Sequence, residues 1–400
     1  MRILYMHHVS IVGGASFCLL NILKTVDRSV VEPTVALAEE GPLKDEIEKL
    51  GIRVCYFKDM MSAPYCKSLN NIQTIRNYIK AKKSTTAFDV FLQNHKGQFD
   101  AVYLNNLMLW HYLPTAKKNG LKTIVHVREH WPLDRLKVQM GWIKNTINQY
   151  ADQIVAINSY SASMMEEFNE KTTIVYDWID FTDRYEERPF DRIFGEETDK
   201  LKVYLFTGGN QIIKGAAEVI EVFHEHIKDP NARLLAMGTS SRQLPNNLKH
   251  KIKCILMKFG FNYYAYRINR VLESDRRIVC IESTYRLQHI LQQAYCYLSF
   301  FNRAHANLAL AECITQKTVC IAASTPEAVE YSDGGRLAFL FKEKDKQAFA
   351  KTIDEVDKHY EDMKERLKEG SKVIADLFDK QHNARVLNEV YYRIMSENNQ

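Results

Sequence analysis

The sequence predicts an α/β protein built on doubly wound parallel sheets, and three observations predict it. Short apolar, β-branched runs recur along the chain and alternate with segments of helical period, the pattern of repeated βαβ units. Some of these runs lead into glycine-bearing loops, at Gly13-Gly14 and again at Gly208-Gly209. The third observation is the stretch 295–324, where an aromatic-rich apolar run is followed by a polar loop, a brief helix over 308–315 and a second apolar run over 319–323. Strand, loop, helix, strand is one parallel crossover unit. Its loop lies at the carboxyl end of a strand and the amino end of a helix. Open α/β sheets bind ligands there, and free helix N–H groups receive anions there.

Size and composition set the outer limits. Four hundred residues suffice for two or three domains with large cores. With 54 Lys and Arg against 49 Asp and Glu, the net charge of +5 is too mild to point to nucleic acid. Eight cysteines are scattered, mostly inside apolar runs, and none forms a Cys-x-x-Cys pair. They read as reduced core residues of a cytoplasmic protein, with neither a disulfide frame nor a zinc site. The apolar run at the amino terminus is stopped by His7-His8, too early for a signal peptide. No run reaches the ~20 apolar residues of a membrane span, so any membrane contact would be peripheral.

In the amino-terminal half, residues 2–6 read as a first buried strand, 7–14 as a loop, and 15–25 as a helix. Gly13-Gly14 between strand and helix could cradle a phosphate or could simply make a tight turn. Strands follow at 33–38, 53–57, 101–104 and 123–127, with helices at 42–50 and 70–82 and a loop at 60–69. His126-Val-Arg-Glu-His130 has the letters of an inverted zinc-protease motif. That chemistry needs both histidines on one helical face, whereas Lys122-Thr-Ile-Val125 is strand sequence and Trp131-Pro132 closes the segment. His126 is therefore expected at a strand end, either as a site residue or as a hydrogen-bonded structural one. Arg128 either binds an acceptor or phosphate or pairs with neighbours. A strand over 151–157, a helix over 161–168 and a strand over 172–176 precede Asp177-Trp-Ile-Asp180. Residues 182–200 are charge-rich without apolar period and read as an interdomain linker.

The carboxy-terminal half restarts the pattern. Residues 202–206 form a strand, Thr207-Gly-Gly-Asn210 begins the next loop, and a helix over 216–227 follows Lys214-Gly215. A cation here suits a bound anion, although it opposes the helix dipole when no ligand is present. Residues 242–277 hold nine Lys or Arg against two acids, with Phe259, Phe261, Tyr263, Tyr264 and Tyr266 interleaved. Such a segment can lie on an anionic membrane, or be no more than a solvated face. Strands at 277–281 and 337–341 and helices at 285–294, 344–369, 373–378 and 384–395 complete the chain.

Several of these stretches, in this order, resemble the retaining glycosyltransferases of the GT-B fold, specifically the family 4 group. The family's donor motif runs Glu, Gly, Phe, Gly, Leu, two residues, Leu, Glu. Leu308 matches its leucine and Glu312 its second acid, while Ala304, His305, Ala306 and Asn307 stand at the first acid, the glycines and the phenylalanine. In the family's phosphate loop, Gly208, Lys214 and Gly215 match, and Gly209 stands at the arginine. Asp177-Trp-Ile-Asp180 resembles the turn closing the first domain, and Ser324-Thr-Pro-Glu327 and Asp333-Gly-Gly335 resemble later turns.

The resemblance implies two Rossmann-like domains facing a central cleft: an acceptor domain over 1–181, a linker over 182–200, a donor domain over 201–375, and terminal helices over 376–400 packing back on the first domain. It implies transfer of a sugar, of the hexosyl kind, from a nucleotide diphosphate to a hydroxyl acceptor with retention, in cell-surface polysaccharide or glycolipid synthesis. His126 and Lys214 would be catalytic. Gly13, Gly14, Gly208, Asn210, Lys214, Asn307, Leu308 and Glu312 would hold the donor, and Arg128 an acceptor or phosphate. No Asp-x-Asp occurs, so no metal and no cofactor beyond the nucleotide sugar is expected. The expected partners are that donor and a carbohydrate or lipid-linked acceptor, with peripheral membrane contact through 242–277 and no nucleic acid. Ala304 and Gly209 support an alternative, a non-catalytic nucleotide- or protein-binding protein on the same fold; a nucleotide-sugar epimerase is a third reading.

Overall fold

In the computed structural model the described residues are 1–11, 13–63, 72–129, 137–179, 189–195, 198–241, 252–253, 255, 263–282 and 288–396. The chain divides into two compact units, Met1–Trp178 with Phe378–Gln400, and Ile179–Leu377.

Unit 1 is built on seven parallel strands: β1 (Arg2–His7), β2 (Glu32–Leu37), β3 (Arg53–Tyr56), β4 (Ala101–Leu104), β5 (Lys122–Val127), β6 (Gln153–Ala156) and β7 (Thr172–Ile174). They lie in the order β3-β2-β1-β4-β5-β6-β7, each paired in parallel with its neighbours. The helices are α1 (Gly14–Thr25), α2 (Pro42–Lys49), α3 (Ile72–Asn94), α4 (Leu113–Lys118), α5 (Lys137–Tyr150) and α6 (Ser159–Ser163). The central strands are apolar on both faces, as a sheet covered on both sides requires. One face packs Leu4, Val102 and Val125 against Phe88, Phe91, Tyr112 and Ile143. The other packs Ile3, Tyr5 and Tyr103 against Leu19, Leu23, Leu387 and Tyr391. On that second face the Tyr5 hydroxyl donates to the Tyr391 hydroxyl at 2.9 Å, in the interior.

Unit 2 repeats the plan with six strands: β8 (Lys202–Phe206), β9 (Ala232–Met237), β10 (Ile278–Ile281), β11 (Cys296–Ser299), β12 (Val319–Ala323) and β13 (Phe339–Phe341). Their order is β10-β9-β8-β11-β12-β13, again all parallel. Its helices are α7 (Pro189–Phe194), α8 (Ala216–His226), α9 (Tyr264–Ser274), α10 (Gln288–Gln293), α11 (Leu308–Thr315), α12 (Pro326–Tyr331), α13 (Lys346–Lys358) and α14 (Tyr360–Leu377). The last helix of the chain, α15 (Lys380–Ser396), belongs to unit 1. Winding reverses between β1 and β4 in unit 1 and between β8 and β11 in unit 2. At such a switch point the neighbouring loops diverge and leave a crevice at the carboxyl ends of the strands.

Several elements differ from the sequence expectation. The helix expected over 161–168 is a short α6 followed by a 3-10 turn, Glu166–Lys171, kinked at Phe168. Residues 344–369 form two helices broken at His359 (φ −120°, ψ 23°), and the second runs on through residues 373–377. The segment 182–200 contains α7, where Pro189 and Phe190 are buried. The helix expected over 70–82 continues to Asn94, because Phe88, Phe91 and Leu92 extend its apolar face into the core.

Candidate functional site

Each switch point carries polar residues, and the two differ in how they are satisfied. In unit 1, β1 ends in His7-His8 and β4 is followed by Asn105-Asn106, directly across the crevice. Asn105 donates to His7 Nδ1 at 3.0 Å and Asn106 to His8 Nδ1 at 2.8 Å. With Nδ1 accepting, the His7 proton sits on Nε2, which donates to the Ser16 hydroxyl at 3.0 Å; that hydroxyl in turn donates to Ile11 O. Burial pushes the His7 pKa down to about 3, so its ring is neutral.

The network continues through Arg128, which is buried. Its Nε donates to Asn105 Oδ1 at 3.3 Å, and its Nη1 donates to both carboxylate oxygens of Asp177 at 2.6 and 2.5 Å. Burial opposes the guanidinium charge, but Asp177 outweighs it and holds the arginine above its ordinary pKa. The role expected of Arg128, an anion or acceptor ligand, is thus met by an internal carboxylate. The charge of the arginine is therefore balanced within the unit. Glu129 accepts from Leu107 N at 2.8 Å and from Arg128 N at 3.2 Å, and burial raises its pKa to about 7. His130 lies outside the described residues, and no group of metal-holding side chains occurs among the described residues.

His126 sits on β5, buried, as the strand reading expects. Its Nδ1 faces the Tyr103 hydroxyl at 2.7 Å and Arg128 Nη2 at 3.2 Å. Arginine only donates, so Nδ1 accepts and the ring proton lies on Nε2. Burial, reinforced by Arg128, lowers its pKa and keeps it neutral. Nε2 is buried with no hydrogen-bond partner among the described residues. A buried donor without a partner is unfavourable. Gly13 is the N-cap of α1 in extended conformation (φ −148°), and Gly14 opens the helix. A Cβ at either would meet nothing within 4 Å. Neither glycine has the positive φ that a glycine-requiring turn would show, and both border open space at the start of α1.

In unit 2 the crevice is lined by the loop after β8, a 3-10 turn over Ile212–Lys214, and the loop from Phe300 to Asn307. The two segments are tied: Asn302 N donates to Ile213 O at 2.9 Å and Asn302 Nδ2 to Ile212 O at 2.6 Å. Gly215 has φ +69°, and a Cβ there would lie 2.2 Å from Phe300 O. Only glycine fits both that backbone and that contact. A Cβ on Gly208 would overlap the Phe206 ring and press on Lys214 Cβ. Gly209 is left-handed too (φ +56°), with Gly238 O 3.1 Å from where its Cβ would be, so a side chain at the family's arginine position would be strained here.

Lys214 is half-buried, and burial lowers its pKa. No acidic side chain pairs with it among the described residues. The amides expected to bind a donor are committed elsewhere. Asn210 donates to Ser240 O at 2.7 Å and accepts from Ser240 N at 3.3 Å, clamping two loops. Asn307 caps α11, accepting from Leu310 N at 3.4 Å and from the Tyr297 hydroxyl at 3.2 Å, and donates to the Ser299 hydroxyl at 2.9 Å. Leu308 is the first residue of that eight-residue helix, and Glu312 lies in its second turn, half-buried. Sequence reasoning missed Glu327. It is fully buried, its Oε1 accepts from His305 N at 2.7 Å and from the Thr325 hydroxyl at 2.8 Å, and burial raises its pKa to about 7. Thus a carboxyl group does reach the loop that carries Ala304, but from the start of α12.

The basic segment 242–277 lies partly outside the described residues. Of its described cations, Arg267 pairs with Glu218 and Glu221 at 3.0 and 2.6 Å, and Arg277 pairs with Asp275 at 2.7 Å. No helix among the described residues is long and apolar enough to cross a membrane. The six described cysteines are free thiols.

Two parallel, doubly wound units of seven and six strands define the GT-B fold. Solved structures of that fold are similar to this chain over nearly its full length. Anabaena HepE in complex with UDP and glucose is 15% identical with a TM-score of 0.72, covering 97% of this chain and 98% of its own. A glycosyltransferase from Rickettsia africae is 15% identical (TM-score 0.68, 98% of both chains). Sucrose-phosphate synthase from Thermosynechococcus elongatus is 12% identical (TM-score 0.69, 99% of both). No family model matches the chain, and no curated protein matches it in sequence.

Proposed function

We propose that the protein is a glycosyltransferase that uses a nucleoside-diphosphate sugar. The observation that carries this reading is Lys214, a half-buried cation without an acidic partner among the described residues, in the crevice loop of unit 2. A desolvated ammonium is unfavourable alone and gains most from an anion that arrives with the substrate. The diphosphate would lie against Lys214 and the opening amides of α11 at Leu308, with Glu312 placed to accept from ribose hydroxyls. HepE, solved with UDP-glucose, makes a uridine donor the first to try.

In the reaction, the bond from the anomeric carbon to the diphosphate oxygen breaks. A bond to the acceptor oxygen forms, and the acceptor proton is released. Charge builds on the leaving diphosphate, where a fixed cation and oriented amides stabilise the transition state without reorganising. His126 is the second catalytic residue of the proposal, on the resemblance to the family. Retention of configuration, independence from metal and a carbohydrate or lipid-linked acceptor in polysaccharide or glycolipid synthesis belong to the same proposal. Residues 242–277 would contribute to peripheral membrane contact only through cations other than Arg267 and Arg277, which acids of unit 2 already hold.

Ala304 and the glycine at position 209 favour a second reading, a nucleotide-binding protein without transfer activity. Incubation with UDP-, GDP- and ADP-sugars and a panel of sugar and lipid-linked acceptors separates the readings. A glycosidic product supports transfer, conversion of the donor sugar without acceptor supports epimerisation, and binding with neither product supports the second reading.

A further inference from the structure

The end of the unit 1 sheet opposite its crevice holds a cavity of about 650 Å³. Small-molecule sites fall in the range of roughly 300–1,000 Å³. The cavity lies at the amino ends of β1, β4 and β5, beside the carboxyl ends of α3 and α4. Its base is fixed by the sheet itself. Asp100 N donates to Arg2 O at 2.8 Å and Lys122 N to Asp100 O at 3.0 Å, which ties the three strand ends together. The Asp100 carboxylate accepts from Arg2 N at 2.7 Å and from the Arg2 guanidinium at 3.1 and 2.5 Å. Leu92 and Phe99, both buried, give the cavity an apolar side.

The charge of the lining is mostly of one sign. Arg2, Lys96, Lys118 and Lys122 face it with one acid, Asp100, which Arg2 already engages. Lys118 pairs with Asp89 at 2.6 Å. Lys96 is exposed and has no acidic partner among the described residues. A concave surface with an excess of positive charge concentrates anions. The neutral groups narrow the choice of anion. His95 is held between Phe91 and Phe99, with ring centroids 4.3 and 6.1 Å away. A carbonyl only accepts, so His95 Nδ1 donates to Phe91 O at 2.8 Å, and Nε2 of the neutral ring is left to accept. Gln93 Nε2 donates to Asn119 Oδ1 at 2.7 Å, which leaves Gln93 Oε1 to accept as well. Two acceptors beside a cation suit hydroxyl groups next to a phosphate. A nucleobase finds no open ring to stack on, because His95 and Phe99 are the aromatic residues of the lining, Phe99 is buried, and His95 has a phenylalanine on either side.

We propose that this cavity is a separate small-molecule site that takes a polyol phosphate, with the phosphate at Lys96 and hydroxyls donating to His95 Nε2 and Gln93 Oε1. The crevice of unit 1 opens at the carboxyl ends of the same strands, so the two lie at opposite ends of the sheet. The proposal needs no turnover and is independent of the sugar-transfer reading.

The test is titration calorimetry of the full chain with ribose 5-phosphate, ribose and inorganic phosphate. The wild type is expected to bind ribose 5-phosphate at least tenfold more tightly than ribose, and added salt should weaken that binding. Lys96→Glu should lower the affinity for ribose 5-phosphate tenfold or more. The position is exposed, so the melting temperature should be unchanged, which separates a lost site from lost folding. His95→Phe keeps the ring between its two neighbours and removes the nitrogen. It should weaken ribose 5-phosphate about fivefold, the value of one hydrogen bond, and leave inorganic phosphate unchanged. Lys214→Met should bind ribose 5-phosphate as the wild type does, which distinguishes this cavity from the crevice of unit 2. Affinity that survives in Lys96→Glu, or that is lost in Lys214→Met, would overturn the proposal. So would a wild type that binds none of the three probes at millimolar concentration.

Discussion

The two switch points share a topology and differ in how a buried cation is treated. In unit 1, Arg128 is buried and its charge is answered by Asp177 through two short hydrogen bonds, with Asn105, His7 and Ser16 extending the network. In unit 2, Lys214 is half-buried and answered by no acid among the described residues. The first arrangement is complete in the free protein and serves to fix geometry; it sets the tautomer of His126. In the proposed reading, an anion brought by the substrate balances the second. A cation that folding has already neutralised is a poor guide to ligand binding, whereas one left without a counter-charge is a good one.

The largest effect should come from breaking the balanced site. Asp177→Ala leaves a buried guanidinium without its carboxylate, a loss of about 3–5 kcal/mol. In a unit of this size that lowers the melting temperature by roughly 10 °C, measurable by circular dichroism. The pair Arg128→Met with Asp177→Leu should recover most of that loss. If the double variant is no more stable than the single one, packing rather than charge governs the site.

Next in size is Gly215→Ala. It forces a left-handed backbone on alanine and sets its Cβ 2.2 Å from Phe300 O, so about 2 kcal/mol or more of stability should be lost. The loops after β8 and β11 should separate, weakening nucleotide binding as well. Urea titration and calorimetry on the same variant read both.

Smaller and pH-dependent is the contribution of Glu327. Its pKa is raised to about 7 in the folded chain, so the folded state holds a proton that the unfolded state releases near its ordinary 4.5. The stabilisation is full below about 4.5 and is lost as pH rises towards 7, and Glu327→Gln should flatten that decline. Glu129 acts in the same direction and window. His7 acts oppositely: with its pKa lowered to about 3, stability is lost as pH falls from about 6.5 towards 3. Urea unfolding across pH 3–8 resolves the opposing slopes.

Much of the scaffold was legible in the sequence, because strand periods and glycine loops are local signals. The βαβ alternation, the strand carrying His126, the Gly208–Gly215 loop and the helix opening at Leu308 all follow from short stretches of chain. The partners of polar residues were not legible. Arg128 finds Asp177, 49 positions away, and Asn105 finds His7, 98 positions away; only the strand order brings them together. The doublets His7-His8 and Asn105-Asn106, each closing an apolar run, were the available signal for the unit 1 network. Glu327 was likewise obscured, since its link to His305 depends on α12 packing beside the loop after β11. Helix ends were least legible where the apolar period runs on, as from Lys82 to Asn94 and across residues 369–373.

The most direct measurement is titration calorimetry of UDP, GDP and ADP and of their monophosphates into the wild type and Lys214→Met. One nucleoside diphosphate should bind the wild type at least tenfold more tightly than its monophosphate. Lys214→Met should lose that margin while folding as stably as the wild type, because it removes a desolvated charge that no acid among the described residues balances. Equal binding of mono- and diphosphate, or a margin that survives in Lys214→Met, would contradict the assignment of the unit 2 crevice as a diphosphate site.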